Sequence, residues 1–187
     1  SADDSLGMER DENGFWRSHP MPPGTPYQFF LDGEGPFPDP RSQSQPEGVH
    51  GASKTVDYSG FHWTDQGWQP PPLTAGVIYE LHIGTFSPEG TFEGAEKKLP
   101  YLRDIGVTHI ELMPVNSFSG KRGWGYDGVS IYAPHEAYGG PAGLARFVDQ
   151  CHRTGLAVIL DVVYNHLGPE GNYLEKYGPY FTETYKT

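Results

Sequence analysis

The sequence predicts an α/β protein: the first three β/α units of a (β/α)8 barrel, preceded by part of a β-sandwich-like N-terminal domain. Three observations predict it. From residue 77 onward, three apolar strand-like runs alternate with two stretches of helical periodicity, the order that builds a parallel sheet. Upstream the texture is different, with 11 of the 18 prolines falling before residue 73. Polar and aromatic residues gather just past the second and third apolar runs, where a barrel keeps its chemistry.

Taken in order, Gly14-Phe15-Trp16-Arg17 and Tyr27-Gln28-Phe29-Phe30-Leu31 are short aromatic strands separated by turns such as Met21-Pro22-Pro23-Gly24, a sandwich or its remnant. An extended segment from Pro36 to about Trp68 has no helical period. It contains Pro38-Asp39-Pro40 and Gln45-Pro46-Glu47-Gly48. Gln69-Pro70-Pro71-Pro72 forms a stiff linker, which divides the chain into residues 1–72 and residues 73–187.

Val77-Ile78-Tyr79-Glu80-Leu81-His82-Ile83 is the first strand of the second part. Phe92, Ala95, Leu99, Leu102 and Ile105 follow at helical spacing, closed by Gly106. Pro100 predicts a kink or a short helix there. Residues 107–113 form a second strand, stopped by Pro114. After a long Gly-rich loop comes a helix with Pro141 in its first turn, a buried stripe of Leu144, Phe147, Val148 and Cys151, and Gly155 at its end. Residues 156–163 are a third, nearly all-apolar strand.

Such strands mark a parallel sheet covered on both faces, either an open doubly wound sheet or a barrel. The loop Gly84-Thr85-Phe86-Ser87-Pro88-Glu89-Gly90 lacks the G-x-G-x-x-G fingerprint, and Gly120-Lys121 lacks the rest of a phosphate loop. The barrel is favoured.

Composition narrows the function classes. A net charge of −11 over 187 residues argues against a nucleic-acid partner and against docking on an anionic membrane. Gly and Pro are abundant, at 25 and 18, yet 36% hydrophobic and 14% aromatic residues belong to a folded, loop-rich chain. The single Cys151 excludes an internal disulfide framework and a multi-cysteine zinc site. No apolar run approaches the ~20 residues of a membrane span. Ser1-Ala2-Asp3-Asp4 carries no signal peptide, and Glu183-Thr184-Tyr185-Lys186-Thr187 no terminating element. The expectation is a soluble cytoplasmic fragment, cut at both ends.

Three segments carry candidate chemistry. Asp161-Val162-Val163-Tyr164-Asn165-His166 closes the third strand. An Asp inside an apolar strand is costly unless paired, so Asp161 is expected to have a definite partner, with Asn165 and His166 at the strand exit. Arg122-Gly123-Trp124-Gly125-Tyr126-Asp127-Gly128 follows the second strand. Its glycines allow close backbone approach to a ligand, and its Trp and Tyr offer flat faces. In Tyr79-Glu80-Leu81-His82, the Glu and His are expected to be a buried polar pair.

The first of these segments resembles the first conserved region of the α-amylase superfamily of glycoside hydrolases. Ile78-Tyr79-Glu80-Leu81-His82-Ile83-Gly84-Thr85-Phe86, Glu111-Leu112-Met113-Pro114-Val115, Gly123-Trp124-Gly125-Tyr126-Asp127-Gly128-Val129 and Gly168-Pro169-Glu170-Gly171-Asn172-Tyr173-Leu174 together resemble its maltooligosyltrehalose trehalohydrolase family. So does the stretch from Leu31-Asp32-Gly33-Glu34 to Gln45-Pro46-Glu47-Gly48-Val49-His50-Gly51. The resemblance implies an enzyme that releases trehalose from maltooligosyltrehalose by cutting the adjoining α-1,4 bond, with retention. It places the nucleophile and acid/base after later strands, C-terminal of Thr187, so no catalytic residue is assigned in this chain. It implies that Tyr126 stacks on the sugar before the cut, that His166 donates to that ring, and that Trp124 and Asp127 line the cleft. Asp161 and Asn165 would support them. No metal or cofactor is expected. Glycogen branching enzymes share Tyr79-Glu80 and Trp124-Gly125-Tyr126 and are the close alternative. A non-catalytic glucan-binding fragment is the alternative of another class.

Overall fold

A computed structural model describes residues 5–182 and residue 184; the readings drawn from the remaining terminal residues lie outside the described residues. The elements upstream of residue 73 are short antiparallel ladders. β1 (Glu9–Arg10) pairs β2 (Trp16–Arg17), β3 (Pro26–Tyr27) pairs β6 (Ser53–Lys54), and β4 (Phe29–Leu31) pairs β5 (Glu34–Phe37). None acquires a third strand. The extended segment has no helix, as expected, but it supplies β6 and the end of β5.

Downstream, β7 (Ile78–Leu81), β8 (His109–Leu112) and β11 (Ala157–Leu160) form a parallel sheet with β8 at its centre. Each strand is shorter than its apolar run. Ile83 already begins the single turn α1 (Ile83–Phe86). The third strand stops at Leu160, so Asp161 is not inside it, as the sequence had suggested. Asp161 is the first residue beyond the ladder, half-buried, its N–H donating to the Leu112 carbonyl at 2.9 Å.

The predicted first helix is two: α2 (Phe92–Glu96) and α3 (Leu99–Asp104). Thr91 caps α2 by accepting from the Gly94 N–H at 3.1 Å. Pro100 has no N–H and its ring would strike a carbonyl one turn back, so it sits in the first turn of α3 instead of within a continuous helix. Gly106, at φ 94°, ends α3 in the left-handed conformation, and Val107 N–H returns to the Leu102 carbonyl at 3.1 Å. Phe92, Ala95, Leu99 and Leu102 are fully buried, but Ile105 at the fraying end is exposed. In α4 (Gly140–Thr154), Phe147 and Cys151 are buried. Leu144 and Val148 are half-buried, and the buried polar neighbour is Asp149.

These helices cover one face of the sheet, burying Leu81, Ile110 and Leu112 beside Phe92 and Phe147; side chains of this size contribute roughly 1.5–3 kcal/mol each when fully buried. Alternation puts Ile78, Glu80, Glu111 and Ile159 on the other face. That face is only partly covered, with Glu80 exposed and Ile78 47% exposed. The Gly-rich loop contains a ladder the sequence did not reveal, β9 (Asn116–Ser117) against β10 (Ser130–Pro134). The short α5 (Leu174–Tyr177) follows the sheet. No helix among the described residues is long and apolar enough to cross a membrane.

The upstream segment is strapped to these elements by polar side chains. Thr64 donates its N–H and Oγ1 to the two carboxylate oxygens of Asp149 at 2.7 and 2.8 Å. Asp65 meets His152 at 2.7 Å, and Trp68 stacks on that imidazole at 3.8 Å. Near the other end, Tyr177 donates to the Pro38 carbonyl at 2.8 Å and His50 contacts the Tyr173 hydroxyl at 2.7 Å.

Two predictions follow from this packing. Asp149→Ala strips Thr64 of both acceptors and should cost about 1–3 kcal/mol in urea unfolding. The second concerns His135, which is buried and stacked on Phe118 at 4.0 Å, with Nε2 unpartnered among the described residues. Burial pushes its imidazole below the ordinary 6.5. The unfolded chain therefore takes up that proton first. The stability of the neutral ring is complete above 6.5 and falls as pH drops through the lower folded value. His135→Phe should retain the stack and flatten part of this acid loss, read as a smaller difference in urea midpoint between about pH 7.5 and about pH 5.5.

Candidate functional site

The three parallel strands end in register, with Leu81, Leu112 and Leu160 side by side. Whatever follows them emerges along one edge, so His82 and Asp161 occupy equivalent exits. The chain leaving β8 turns into β9 and then into the loop that carries Trp124 and Tyr126.

That loop is shaped by close backbone approaches. Gly125 has φ 94°, and a Cβ there would overlap the Pro114 carbonyl oxygen. A Cβ at Gly168 would overlap the carbonyl of Asp127; as glycine it lets the chain after β11 lie on the loop, its N–H donating to the Gly128 carbonyl at 3.1 Å. The glycines serve backbone-on-backbone packing here.

Tyr126 is the meeting point. Its hydroxyl donates to Asp161 Oδ2 at 3.3 Å, and His166 Nε2 donates to its backbone carbonyl at 2.9 Å. The Tyr126 phenol is raised above its ordinary value by loss of solvent, then by the negative charges of Asp161, Glu80 and Glu111. It is a neutral donor across the ordinary pH range, and the residue is 41% exposed. Trp124 is 72% exposed, its ring 6.0 Å from that of His82.

The structure thus joins Tyr126, His166 and Asp161, residues from segments about 40 positions apart, and sets Trp124 beside them on the same loop. Asp127 and Asn165 are exposed, and neither side chain makes a hydrogen bond among the described residues. Sequence reasoning singled out His82 but gave it the wrong partner. It is half-buried and its Nε2 donates to the Gly123 carbonyl at 2.8 Å, so it is not paired with Glu80 as expected. The signal was its position one residue past the strand end, in line with Asp161. No group of three or more His, Cys, Asp or Glu among the described residues is arranged to hold a metal ion.

Gly125 and Gly106 share φ 94°, but nothing lies within 4 Å of a Cβ at Gly106. Gly106→Ala should therefore cost only the conformational strain, about 1 kcal/mol. Gly125→Ala should cost about 2 kcal/mol more through overlap with Pro114. Paired denaturation curves measure the difference, which isolates the close approach.

The chain matches the alpha amylase catalytic-domain family over residues 37–186. A malto-oligosyltrehalose trehalohydrolase of Arthrobacter ramosus is 54% identical over 179 residues, covering 94% of this chain and 31% of that protein. A 1,4-alpha-glucan branching enzyme of Aliivibrio fischeri is 35% identical over 191 residues, covering 91% of this chain and 26% of that protein. Among solved structures, a Salmonella typhimurium protein provisionally described as an alpha amylase superposes with a TM-score of 0.91 at 47% identity, covering 96% of this chain and 31% of that one. The chain spans less than a third of the length of each. The family match takes in the sheet and both loops that meet at Tyr126, and this chain belongs to the α-amylase family.

Proposed function

We propose that this chain is the substrate-platform portion of a maltooligosyltrehalose trehalohydrolase, a retaining glycosidase that hydrolyses the α-1,4 bond next to a terminal trehalose. The observation that carries the reading is the joining of Tyr126, Asp161 and His166 at one strand edge, in a chain 54% identical to an enzyme of that name. Residues 73–187 are the opening of a (β/α)8 barrel, and residues 1–72 the end of a sandwich-like domain with its linker. The substrate is an α-glucan, with no role for nucleic acid or membrane, and the setting is cytoplasmic.

In this reading the exposed Tyr126 ring stacks on the sugar before the cut. His166 turns toward a hydroxyl of that sugar while holding the loop, and Trp124 and Asp127 line the cleft. Asp161 keeps the Tyr126 ring in place through its hydroxyl, and Asn165 supports the strand exit. The reaction itself needs two carboxyls about 5–5.5 Å apart, supplied from beyond Thr187. One carboxylate attacks the anomeric carbon as the acid protonates the departing oxygen. Water then cleaves the glycosyl ester, giving its proton to the same residue.

A branching enzyme is the second reading, favoured by the shared Tyr79-Glu80 and Trp124-Gly125-Tyr126 but weakened by the lower identity of 35%. Product analysis of the whole enzyme separates them: free trehalose supports the first, new α-1,6 branches the second. Within the first, Tyr126→Ala should lower kcat/KM by roughly tenfold to a hundredfold, the loss of one ring-stacking contact of ~1–3 kcal/mol, with the unfolding transition retained. Unchanged kinetics in a folded variant would remove Tyr126 from the site.

A further inference from the structure

His82 has a role that the sugar-facing residues do not describe. Its Nε2 lies 2.8 Å from the Gly123 carbonyl and 3.2 Å from the Tyr138 hydroxyl, while Thr85 Oγ1 approaches Nδ1 at 3.3 Å. A hydroxyl donating to Nδ1 leaves the proton on Nε2, aimed at Gly123. The ring cannot swing freely. Tyr138, itself buried, meets it edge-on at 5.9 Å and also abuts Phe92 at 6.3 Å in the helix-covered core. Gly84 leaves the space the imidazole needs, since a Cβ there would come within 2.9 Å of it. The core thus reaches through one imidazole to the residue before Trp124.

We propose that His82 is a positioning residue that orients the Trp124–Tyr126 platform by holding the Gly123 carbonyl. The inference rests on the proposed function for what the platform binds, but not for the holding itself. His166 secures the same loop three residues later, at the Tyr126 carbonyl. The two imidazoles together fix the direction of the segment between them, so the indole and the phenol present their faces from a set backbone. Binding to a rigid platform avoids the ordering cost a loose loop would incur.

The test compares two substitutions in the 187-residue chain. His82→Phe keeps a ring against Tyr138 but has no N–H, whereas His82→Gln keeps a donor and loses the ring. Tryptic cleavage after Lys121 and Arg122, located by mass spectrometry, reports the loop. Amide exchange in α4 reports the core, and fluorescence titration with maltoheptaose reports binding. His82→Phe should speed cleavage and weaken maltoheptaose binding by about tenfold each, the scale of one lost hydrogen bond, with α4 exchange unchanged. His82→Gln should stay close to the unsubstituted chain in both. Cleavage at the unsubstituted rate in His82→Phe would overturn the proposal, as would equal impairment in both variants. If His82→Phe does not fold, His82→Leu takes its place in the same comparison. Should cleavage divide as expected while no form binds maltoheptaose, the positioning role stands and the sugar reading of the platform falls.

Discussion

Two backbone carbonyls, those of Gly123 and Tyr126, are held by imidazoles from two different strand exits, and the rest of the site follows from that restraint. The loop between β9 and β10 is long and rich in glycine, which by itself favours many conformations. Hydrogen bonds from His82 and His166 narrow them, and the Tyr126–Asp161 contact adds a third attachment at the side chain. These anchors are rigid because β7, β8 and β11 end in register over a core of fully buried Phe92, Leu99, Ile110, Leu112 and Phe147. Sheet register thereby becomes loop geometry. A slip of one residue would turn Asp161 and His82 to opposite faces of the sheet.

The upstream segment contributes by packing rather than by chemistry. Its contacts to α4 run through Asp149 and His152, and its contacts to the chain after β11 run through Val49, His50 and Pro38. Val49 is buried, and a Cβ on Gly171 would overlap it. The loop that begins at His166 is therefore sandwiched between the Tyr126 loop and residues from the first third of the chain. Polar side chains share this strapping with aromatic contacts, Phe29 against Tyr177 and Phe37 against Tyr173.

Much of this was legible beforehand. Apolar runs located the three parallel strands, helical spacing located Phe92, Leu99 and Phe147, and Pro100 announced the break between α2 and α3. The grouping of Tyr126, His166 and Asp161 was legible through motif text and the rule that strand ends share an edge. What escaped has physical causes. The ladder of β9 and β10 has one strand of just two residues, too short for alternation to register. Ile105 kept the helical period, but the turn had already frayed and left it 54% exposed. Hydrophobicity continues through Val162 and Val163 after the backbone has left the ladder at Leu160, so composition overstated β11 and buried Asp161 too deeply. The role of His82 was hidden because its partner is a backbone carbonyl 41 positions away, and no side-chain pattern encodes that.

The proposed resting place of a glucan is the held loop with Tyr126 at its centre. Amide and indole chemical-shift mapping of the chain during titration with maltoheptaose tests it most directly. The largest shifts are expected at Gly123, Trp124, Tyr126 and His166, with α4 still. Shifts confined to the exposed aromatics Phe15, Trp16 and Phe30, far upstream in sequence, would contradict it.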